Sequence, residues 1–332
     1  MYTELERLDS DDKLLYYYLH KKLSDFEYSF MIKNSATKDI TRIFNLVLRD
    51  DPRIFWLLGA AEYRFRKDDP PQRDNLFTAK PVSGITPETV RSMSKELYEE
   101  VRRIASEAKK QKSDFDSVLY IHDHIINTTN YSTEDDLCYT PYGCLINHRA
   151  CCAGYSKAFQ MIANELGFEC GIVTGKSIYG EQTHSKHIWN YIRLEDELYY
   201  LDVTWDDPTV NYKGEKTECP INHYFLVDND ELLRTHTPDK DYFVPDCRGR
   251  KYNYHRYKGY FFELYDFKEI KESAEKQLRN GNSFTVKFAH PAYHTIAVCD
   301  LRNFGRINEI QGVNEKHLFV TAKHHLAITV IN

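Results

Sequence analysis

The chain has 332 residues, of which 42% are hydrophobic and 28% are charged. This composition is typical of globular proteins and excludes a disordered, collagen-like or coiled-coil chain. At roughly 150 residues per domain the length predicts two domains, or one domain with large extensions. The net charge of -6 lacks the basic excess of nucleic-acid-binding proteins. The longest apolar stretch, residues 54–61, is far shorter than the roughly 20 residues of a membrane-spanning helix. We therefore expect neither a nucleic acid nor a membrane as partner.

The first residues are acidic and lack the basic-then-apolar order of a signal peptide. This predicts a cytoplasmic protein, or a secreted one if a signal has been trimmed. The eight cysteines include no C-x-x-C pair, which argues against a disulfide framework and a structural zinc site. Cys144, His148 and Cys151 lack the second pair of ligands of a zinc signature. We expect no metal and no organic cofactor.

Helical spacing of apolar residues predicts helices over residues 9–24 and 36–50. Apolar runs at 54–61 and 63–65 predict strands, and 68–72 predicts a loop. We therefore expect a mainly helical N-terminal region over residues 1–84. Thr86 and Pro87 predict the start of a helix that runs to about residue 110. The next helix, 114–129, carries His122 on its apolar face, so we expect a hydrogen-bonded core histidine there.

From residue 152 onward the pattern predicts a helix and then strands. Tyr155, Phe159, Ile162 and Leu166 recur at helical spacing, and Gly167 follows where the helix would end. Strands are predicted at 170–173, 187–194 and 198–204, with Glu195-Asp196 as a two-residue turn. The tail predicts a small α+β extension over residues 236–332. Its predicted elements are strands at 260–264, 284–288 and 318–330 and a helix at 267–279.

A thiol pair, Cys151-Cys152, stands at the predicted start of the helix. A helix N-terminus lowers the pKa of a thiol because its free N–H groups and dipole favour negative charge. The same N–H groups can stabilise an oxyanion. A cysteine at a helix start is by itself more often inert packing, so the interpretation needs partners.

The predicted hairpin supplies such partners. A two-residue turn at 195–196 pairs Ile192 with Tyr199, Ile188 with Val203 and His187 with Thr204. Asp202 is then the diagonal neighbour of His187, within reach of a hydrogen bond. A carboxylate on one ring nitrogen fixes the tautomer and leaves the other nitrogen to accept a thiol proton. This predicts a Cys-His-Asp triad, although each residue alone could be structural.

Three segments, 150–159, 187–190 and 201–208, resemble the core motifs of the bacterial transglutaminase-like superfamily. Segments 113–131 and 142–145 are similar to what precedes the cysteine in that family, so the resemblance covers residues 85–235. It implies an α+β papain/transglutaminase-like core in which the cysteine helix packs on an antiparallel sheet. It further implies that Cys152 is the nucleophile, His187 the general base and Asp202 its orienting acid, with acyl transfer at amides as the chemistry.

Two features lie outside these motifs. Cys151 stands where the family has a small or apolar residue, so it is either a redox partner of Cys152 or a spectator packed under the helix. The oxyanion donor or substrate-lining residue is not fixed by the motifs, and Tyr142 and Trp189 are the candidates. The acidic residues 195–197 and Asp206-Asp207 could attract a cationic amine, or could form a solvated rim.

The leading hypothesis is a thiol enzyme that forms an acyl-Cys152 thioester from a peptide, a protein or another amide. Water as acceptor would make it a hydrolase, and an amine would make it a transglutaminase. One alternative is a non-catalytic transglutaminase-like binding or scaffold module. Another is a carbohydrate-processing protein, which rests only on the aromatic fraction of 14%.

Overall fold

The computed structural model describes residues 4–33, 39–63, 74–179, 183–207, 209–212, 215–218 and 221–332. Helices and mostly antiparallel sheets alternate along the chain, and the fold class is α+β as predicted. No helix in these ranges has both the length and the apolar character needed to cross a bilayer.

The N-terminal region combines three helices with a sheet. The helices are α1 (Glu4–Arg7), α2 (Ser10–Ser24) and α3 (Ile40–Asp50), and the strands are β1 (Ser29–Lys33), β2 (Leu57–Tyr63) and β3 (Asp74–Pro81). The strands form an antiparallel sheet in the order β1-β3-β2. The predicted helices are present over their described residues. Residues 36–38, 64–65 and the loop at 68–72 lie outside the described part.

Strands β1 and β3 were not predicted in this mainly helical region, because their sequence signal is short. In β1, Phe30 and Ile32 are buried whereas Met31 is exposed, and in β3 Phe77 is buried beside an exposed Leu76. Each alternation spans only a few residues and contains apolar side chains on both faces. The alternation of buried and exposed side chains is therefore hard to recognise in the sequence, although it decides which face of each strand packs into the core.

The middle of the chain contains four helices and a four-stranded antiparallel sheet. The helices are α4 (Pro87–Ala108), α5 (Asp114–Thr128), α6 (Pro141–Leu145) and α7 (Cys152–Glu165), with the two-residue strands β4 (Asn130–Tyr131) and β5 (Arg149–Ala150) between them. The sheet has the order β11-β6-β7-β8. Its strands are β6 (Cys170–Tyr179), β7 (Thr183–Leu194), β8 (Glu197–Leu201) and β11 (His236–Pro238), and a hairpin of β9 (Thr209–Tyr212) and β10 (Glu215–Glu218) follows β8.

Helix α7 packs on the face of β7. The Ser156 hydroxyl donates to the carbonyl oxygen of Ile188 at 3.1 Å, and the Asn190 amide donates to the carbonyl oxygen of Ser156 at 3.0 Å. Asn190 has no exposed surface, so these bonds fix the helix on the strand in a dry interface. This is the arrangement of cysteine helix and sheet that the sequence predicts.

The C-terminal part has its own sheet, in the order β12-β13-β15-β14. Its elements are α8 (Asn229–Leu232), α9 (Tyr254–Lys258), β12 (Phe261–Phe262), α10 (Phe267–Leu278), β13 (Ser283–Phe288), α11 (Pro291–Val298), β14 (Leu318–Ala322) and β15 (Ala327–Ile331). The predicted strand at 318–330 is in fact two strands, separated by a helical turn at Lys323–His325. Helix α11 was not predicted.

Two of the three hydrophobic cores formed by the described residues bear on the predicted domain boundaries. The larger core runs from Leu8 to Leu226 and crosses the predicted boundary at residue 84. The smaller core lies between Phe262 and Val330, wholly inside the predicted C-terminal extension. The N-terminal region therefore shares its interior with the segment that carries Cys152.

Gly154, in the first turn of α7, has no room for a side chain. A Cβ atom there would lie 2.7 Å from the carbonyl oxygen of Cys138 and 2.9 Å from that of Thr140. Because backbone atoms yield little, we expect Gly154→Ala to lower the free energy of unfolding in urea by about 1–3 kcal/mol. Gly281→Ala is the control, since its nearest neighbour would be 3.9 Å away, and it should change stability by less than about 0.5 kcal/mol. Equal losses in the two variants would contradict this assignment.

Candidate active site

Cys152 is the first residue of α7, and Cys151 is its N-cap. The Cys151 backbone is extended, its N–H donates to the carbonyl oxygen of Cys138 at 2.9 Å, and its side chain is only 2% exposed. Cys152 is half-buried. The first intrahelical bond runs from the Tyr155 N–H to the Cys151 carbonyl oxygen, so the N–H groups before it have no helical acceptor. The thiol therefore lies beside free backbone donors, as predicted.

The two thiols are neighbours, and their interaction shifts their pKa values in opposite directions. The hydrogen bond from Cys152, helped by the N–H groups of Ala153 and Gly154, lowers the pKa of Cys151 to about 7 despite burial. The same hydrogen bond, together with burial, raises the pKa of Cys152, because a second thiolate would lie beside the first. The shifts favour the thiolate at Cys151 and the protonated thiol at Cys152, and Cys152 is the more exposed of the two.

His187 lies in β7, whose register with β8 is the predicted one. The observed pairs include Ile192 with Tyr199 and Asn190 with Leu201, and Glu195 in the turn adopts the left-handed φ of 51°. The predicted pairs of Ile188 with Val203 and His187 with Thr204 were wrong, because β8 ends at Leu201.

Asp202 begins a helical turn directly after β8. The Asp206 N–H donates to the Asp202 carbonyl oxygen at 3.1 Å, and the Trp205 N–H donates to Asp202 Oδ1 at 3.1 Å. This turn directs the carboxylate to His187, whose Nε2 lies 2.5 Å from Asp202 Oδ2. The predicted hydrogen bond between the two side chains is therefore present, although the backbone reaches it by a turn.

A second histidine, His236, binds the same carboxylate oxygen, with Nε2 3.0 Å from Asp202 Oδ2. Burial alone would raise the pKa of Asp202, but the charges and hydrogen bonds of His187 and His236 lower it well below its usual range. Sequence reasoning missed His236, which lies 34 residues after Asp202 on the edge strand β11. No spacing rule connects the two positions.

The ligand atoms of His187, Asp202 and His236 all lie within 4.8 Å of one another. Two imidazoles and a carboxylate are a donor set that transition metals accept. The distances of 2.5 and 3.0 Å from the two imidazoles to a single Asp202 oxygen are hydrogen-bond lengths. Two hydrogen bonds therefore explain why the three side chains lie so close together. Cys144, His148 and Cys151 form no such group within the described ranges.

Trp189 and Tyr142 make their described contacts with groups other than the thiol. Trp189 is fully buried, with its ring 6.0 Å from that of His187 and 4.8 Å from that of His236. It packs behind the histidines, which gives no support to a substrate-lining role. The Tyr142 hydroxyl donates to Glu96 at 2.6 Å and its ring stacks on Phe55. Both contacts hold Tyr142 against other parts of the fold, so its role as an oxyanion donor also gains no support.

Two exposed tyrosines lie near the thiols instead. Tyr131, 59% exposed, pairs with Ala150 in the short β4–β5 ladder, directly before Cys151. Burial and then the charges of Cys152 and Cys151 raise the pKa of Tyr131 to about 12. Tyr139 is also exposed, and the charge of Cys151 raises its pKa. The two rings therefore lie at the entrance to the thiol pair.

His122 is a hydrogen-bonded core histidine, as predicted. Its Nε2 lies 3.2 Å from Asp206 Oδ2 and its Nδ1 lies 3.0 Å from Asp123 Oδ1. Burial opposes its charge, but these two carboxylates raise the pKa of His122 to about 9. Asp206 also accepts the Tyr224 N–H at 2.9 Å. The pair therefore anchors the turn that carries Asp202.

Residues 96–203 match the model of the Transglutaminase-like superfamily. A solved structure of a TGase is 16% identical over 44% of each chain, with a TM-score of 0.31. A proposed cysteine protease from Cytophaga hutchinsonii is 13% identical over 44% of this chain and 61% of that chain, with a TM-score of 0.28. A proposed protease from Parabacteroides distasonis is 13% identical over 49% of this chain and 36% of that chain, with a TM-score of 0.26.

These matches span between about one third and three fifths of the relatives' own length. No curated protein matches the chain significantly. The matched segment of 96–203 contains Cys152, His187 and Asp202. Over this segment the protein is transglutaminase-like.

The opposite pKa shifts of the two cysteines predict how the thiol pair reacts. We expect iodoacetamide to label Cys152, the more exposed of the two, with a rate that rises only above the usual value of about 8.5, because Cys151 raises the pKa of Cys152. Cys151→Ala removes this neighbour, so the rise should move to lower pH. Peptide mass mapping over a pH series measures both. The half-buried Cys299 is the internal control, and its rate should not respond to Cys151→Ala. An unchanged profile at Cys152 would disprove the role of the thiol hydrogen bond.

Proposed function

We propose that this protein is a thiol enzyme that acts on peptide, protein or other amide groups through an acyl-Cys152 thioester. The observation that supports this most strongly is the 2.5 Å hydrogen bond between His187 and Asp202. Asp202 is almost fully buried, and it holds the imidazole beside a face of β7 on which the cysteine helix packs. Among the described hydrogen bonds His187 uses only Nε2, which leaves Nδ1 for a proton from the thiol.

The proposed reaction follows from these positions. His187 Nδ1 accepts the Cys152 proton while the sulfur attacks the amide carbon, and Asp202 stabilises the imidazolium. The free N–H groups at the start of α7 stabilise the negative oxygen of the tetrahedral intermediate. The C–N bond then breaks, the leaving amine or ammonia takes the proton from His187, and the thioester remains. Water or an amine, deprotonated by His187, finally attacks the thioester and releases the thiol.

The exposed rings of Tyr131 and Tyr139 support a peptide or a protein side chain as donor. Apolar ring faces at the rim of a site suit an extended chain, and the half-buried Cys152 is open enough to receive one. The family match over residues 96–203 agrees with this substrate class.

The acidic residues considered from sequence do not favour an amine acceptor. Asp206 is buried on His122, and the Asp207 carboxylate accepts the Tyr155 hydroxyl at 2.7 Å, so neither belongs to a solvated rim. Residues 195–197 lie at the hairpin turn, eight residues along β7 from His187, which is roughly 26 Å. We therefore propose hydrolysis, or transfer to a small amine, as the dominant outcome.

The two adjacent cysteines provide a matched test of this proposal. A glutamine-containing protein is incubated with the enzyme, a primary-amine probe and a lysine-rich acceptor, and products are identified by mass spectrometry. We expect ammonia release or peptide cleavage, reduced by at least about 10⁴-fold in Cys152→Ala, which lacks the nucleophile. Cys151→Ala should keep activity within about ten-fold, because it leaves the proposed nucleophile in place.

Other outcomes decide between the alternatives. Equal activity of Cys152→Ala and the wild type would overturn the proposed nucleophile. Efficient lysine crosslinks that disappear in Cys152→Ala would show that the expected product is wrong while the thiol mechanism holds. No turnover and no acyl adduct of the wild type with a broad panel of amides would favour the scaffold alternative.

His236 is proposed as a positioning residue that acts through Asp202. His236→Phe removes one of the donors to Asp202 Oδ2, and we expect kcat to fall about 10- to 100-fold with KM unchanged. Because the lost donor also raises the pKa of Asp202, the acidic limb of the pH profile should move to higher pH. His236→Gln keeps a donor and should restore most of the activity. Equal losses in both variants, with an unshifted profile, would reduce His236 to a packing residue.

A further inference from the structure

A cavity of about 880 Å³ lies between the N-terminal region and the transglutaminase-like segment. Its walls come from the N-terminal helices, from α4, from the last turns of α7 and from the start of β6. It lies towards the opposite end of α7 from Cys152. The separation from Cys152 to Gln160 is eight residues, or roughly 12 Å along the helix. The cavity is therefore separate from the proposed active site.

The volume and the lining resemble those of a small-molecule site. Ligand pockets are typically about 300–1,000 Å³ and lie between structural units, with mostly apolar walls and a few polar groups. Tyrosine rings and aliphatic or aromatic side chains form much of this wall, namely Tyr16, Tyr98, Tyr191, Val101, Met161 and Phe168.

The charged residues of the wall are mainly acidic, with four carboxylates, Asp50, Asp51, Glu165 and Glu169, against two guanidinium groups, Arg53 and Arg102. Most of these carboxylates have a cationic partner within the protein. Asp51 binds Arg53 at 2.6 Å, Glu169 binds Arg193 at 2.9 Å, and Glu165 lies 3.9 Å from Arg102.

Asp50 is the exception. Its half-buried carboxylate accepts the Tyr16 hydroxyl at 3.2 Å, and it makes no ion pair with any described residue. Burial raises the pKa of Asp50 to about 6, although the charge of Arg49 and the Tyr16 hydrogen bond oppose this rise, and an added cation would stabilise the charged form further. Gln160 adds a second unsatisfied acceptor to the wall, because its Oε1 is buried and has no hydrogen-bond partner among the described residues. The Asp50 carboxylate and the Gln160 Oε1 atom could each accept a hydrogen bond from a ligand.

We propose that this cavity is a binding site for a small organic cation, a primary amine or guanidinium compound with an apolar body. The charged head would lie on Asp50, whose carboxylate makes no ion pair within the described ranges. The apolar body would pack against the tyrosine rings. This inference does not depend on the chemistry proposed for Cys152.

Binding of benzylamine, measured by isothermal titration calorimetry, tests the charge requirement. Benzyl alcohol has the same body without the charge. We expect benzylamine to bind and benzyl alcohol to bind at least about ten-fold more weakly, since its hydroxyl donor lacks the positive charge of the ammonium group. Asp50→Asn should weaken benzylamine binding by a similar factor. Glu272→Gln, which removes one charge from an exposed position on α10, should leave it unchanged.

The location is tested in the wild-type protein by NMR of ¹³C-methyl methionine. Met161 lines the cavity and Met93 does not, so benzylamine should shift the Met161 signal and leave the Met93 signal in place. This readout also holds if Asp50→Asn does not fold. The proposal is overturned if millimolar benzylamine does not bind, if it binds Asp50→Asn equally well, or if the Met161 signal is unmoved. Loss of amide turnover in Cys152→Ala bears on the active site alone.

Discussion

A buried carboxylate, Asp202, sets the geometry of the middle of this molecule. Taking an ionised carboxyl group out of water costs several kcal/mol unless hydrogen bonds and positive charge replace the lost solvent. Asp202 receives the Trp205 N–H on Oδ1 and the imidazoles of His187 and His236 on Oδ2. These donors come from the turn after β8, from β7 and from β11, so the carboxylate is satisfied only when the sheet has assembled. The same bonds orient His187, and correct folding and the proposed chemistry therefore require the same contacts.

The network continues from Asp202 into the C-terminal part. The Tyr224 hydroxyl and the Thr235 hydroxyl lie 3.0 Å apart, and Thr235 Oγ1 is 2.9 Å from His236 Nδ1. The ring of Tyr224 also packs against His325, 4.2 Å away. Nearby, burial lowers the pKa of His223 to about 3, so this histidine is neutral. A neutral aromatic and histidine layer thus lies between the two cores, and packing of the C-terminal part supports the strand that carries His236.

The hairpin shows how far the sequence predicts the site. A two-residue turn and period-2 alternation determine the register of β7 on β8, which is why the contact of His187 with Asp202 was predictable. The end of β8 was not, because Val203 and Thr204 continue a β-branched pattern. The hydrogen bond that Asp202 accepts within the turn, and the one that Asp206 accepts from His122, outweigh that local preference. His236, and the cavity whose walls run from Leu5 to Tyr191, depend on tertiary packing that no local pattern encodes.

The start of α7 relates helix capping to reactivity. A serine, threonine, aspartate or asparagine at the N-cap accepts an N–H bond from the first turn, and replacing it costs about 0.5–2 kcal/mol. Cys151 occupies the N-cap and makes no side-chain capping bond. The N–H groups of Ala153 and Gly154 therefore have no oxygen acceptor at the cap, and their interaction with the Cys151 sulfur helps to lower the pKa of Cys151. A hydroxyl cap at this position would compete for those donors. The weakly capped helix start thus provides the donors that a thiolate, and then an oxyanion, requires.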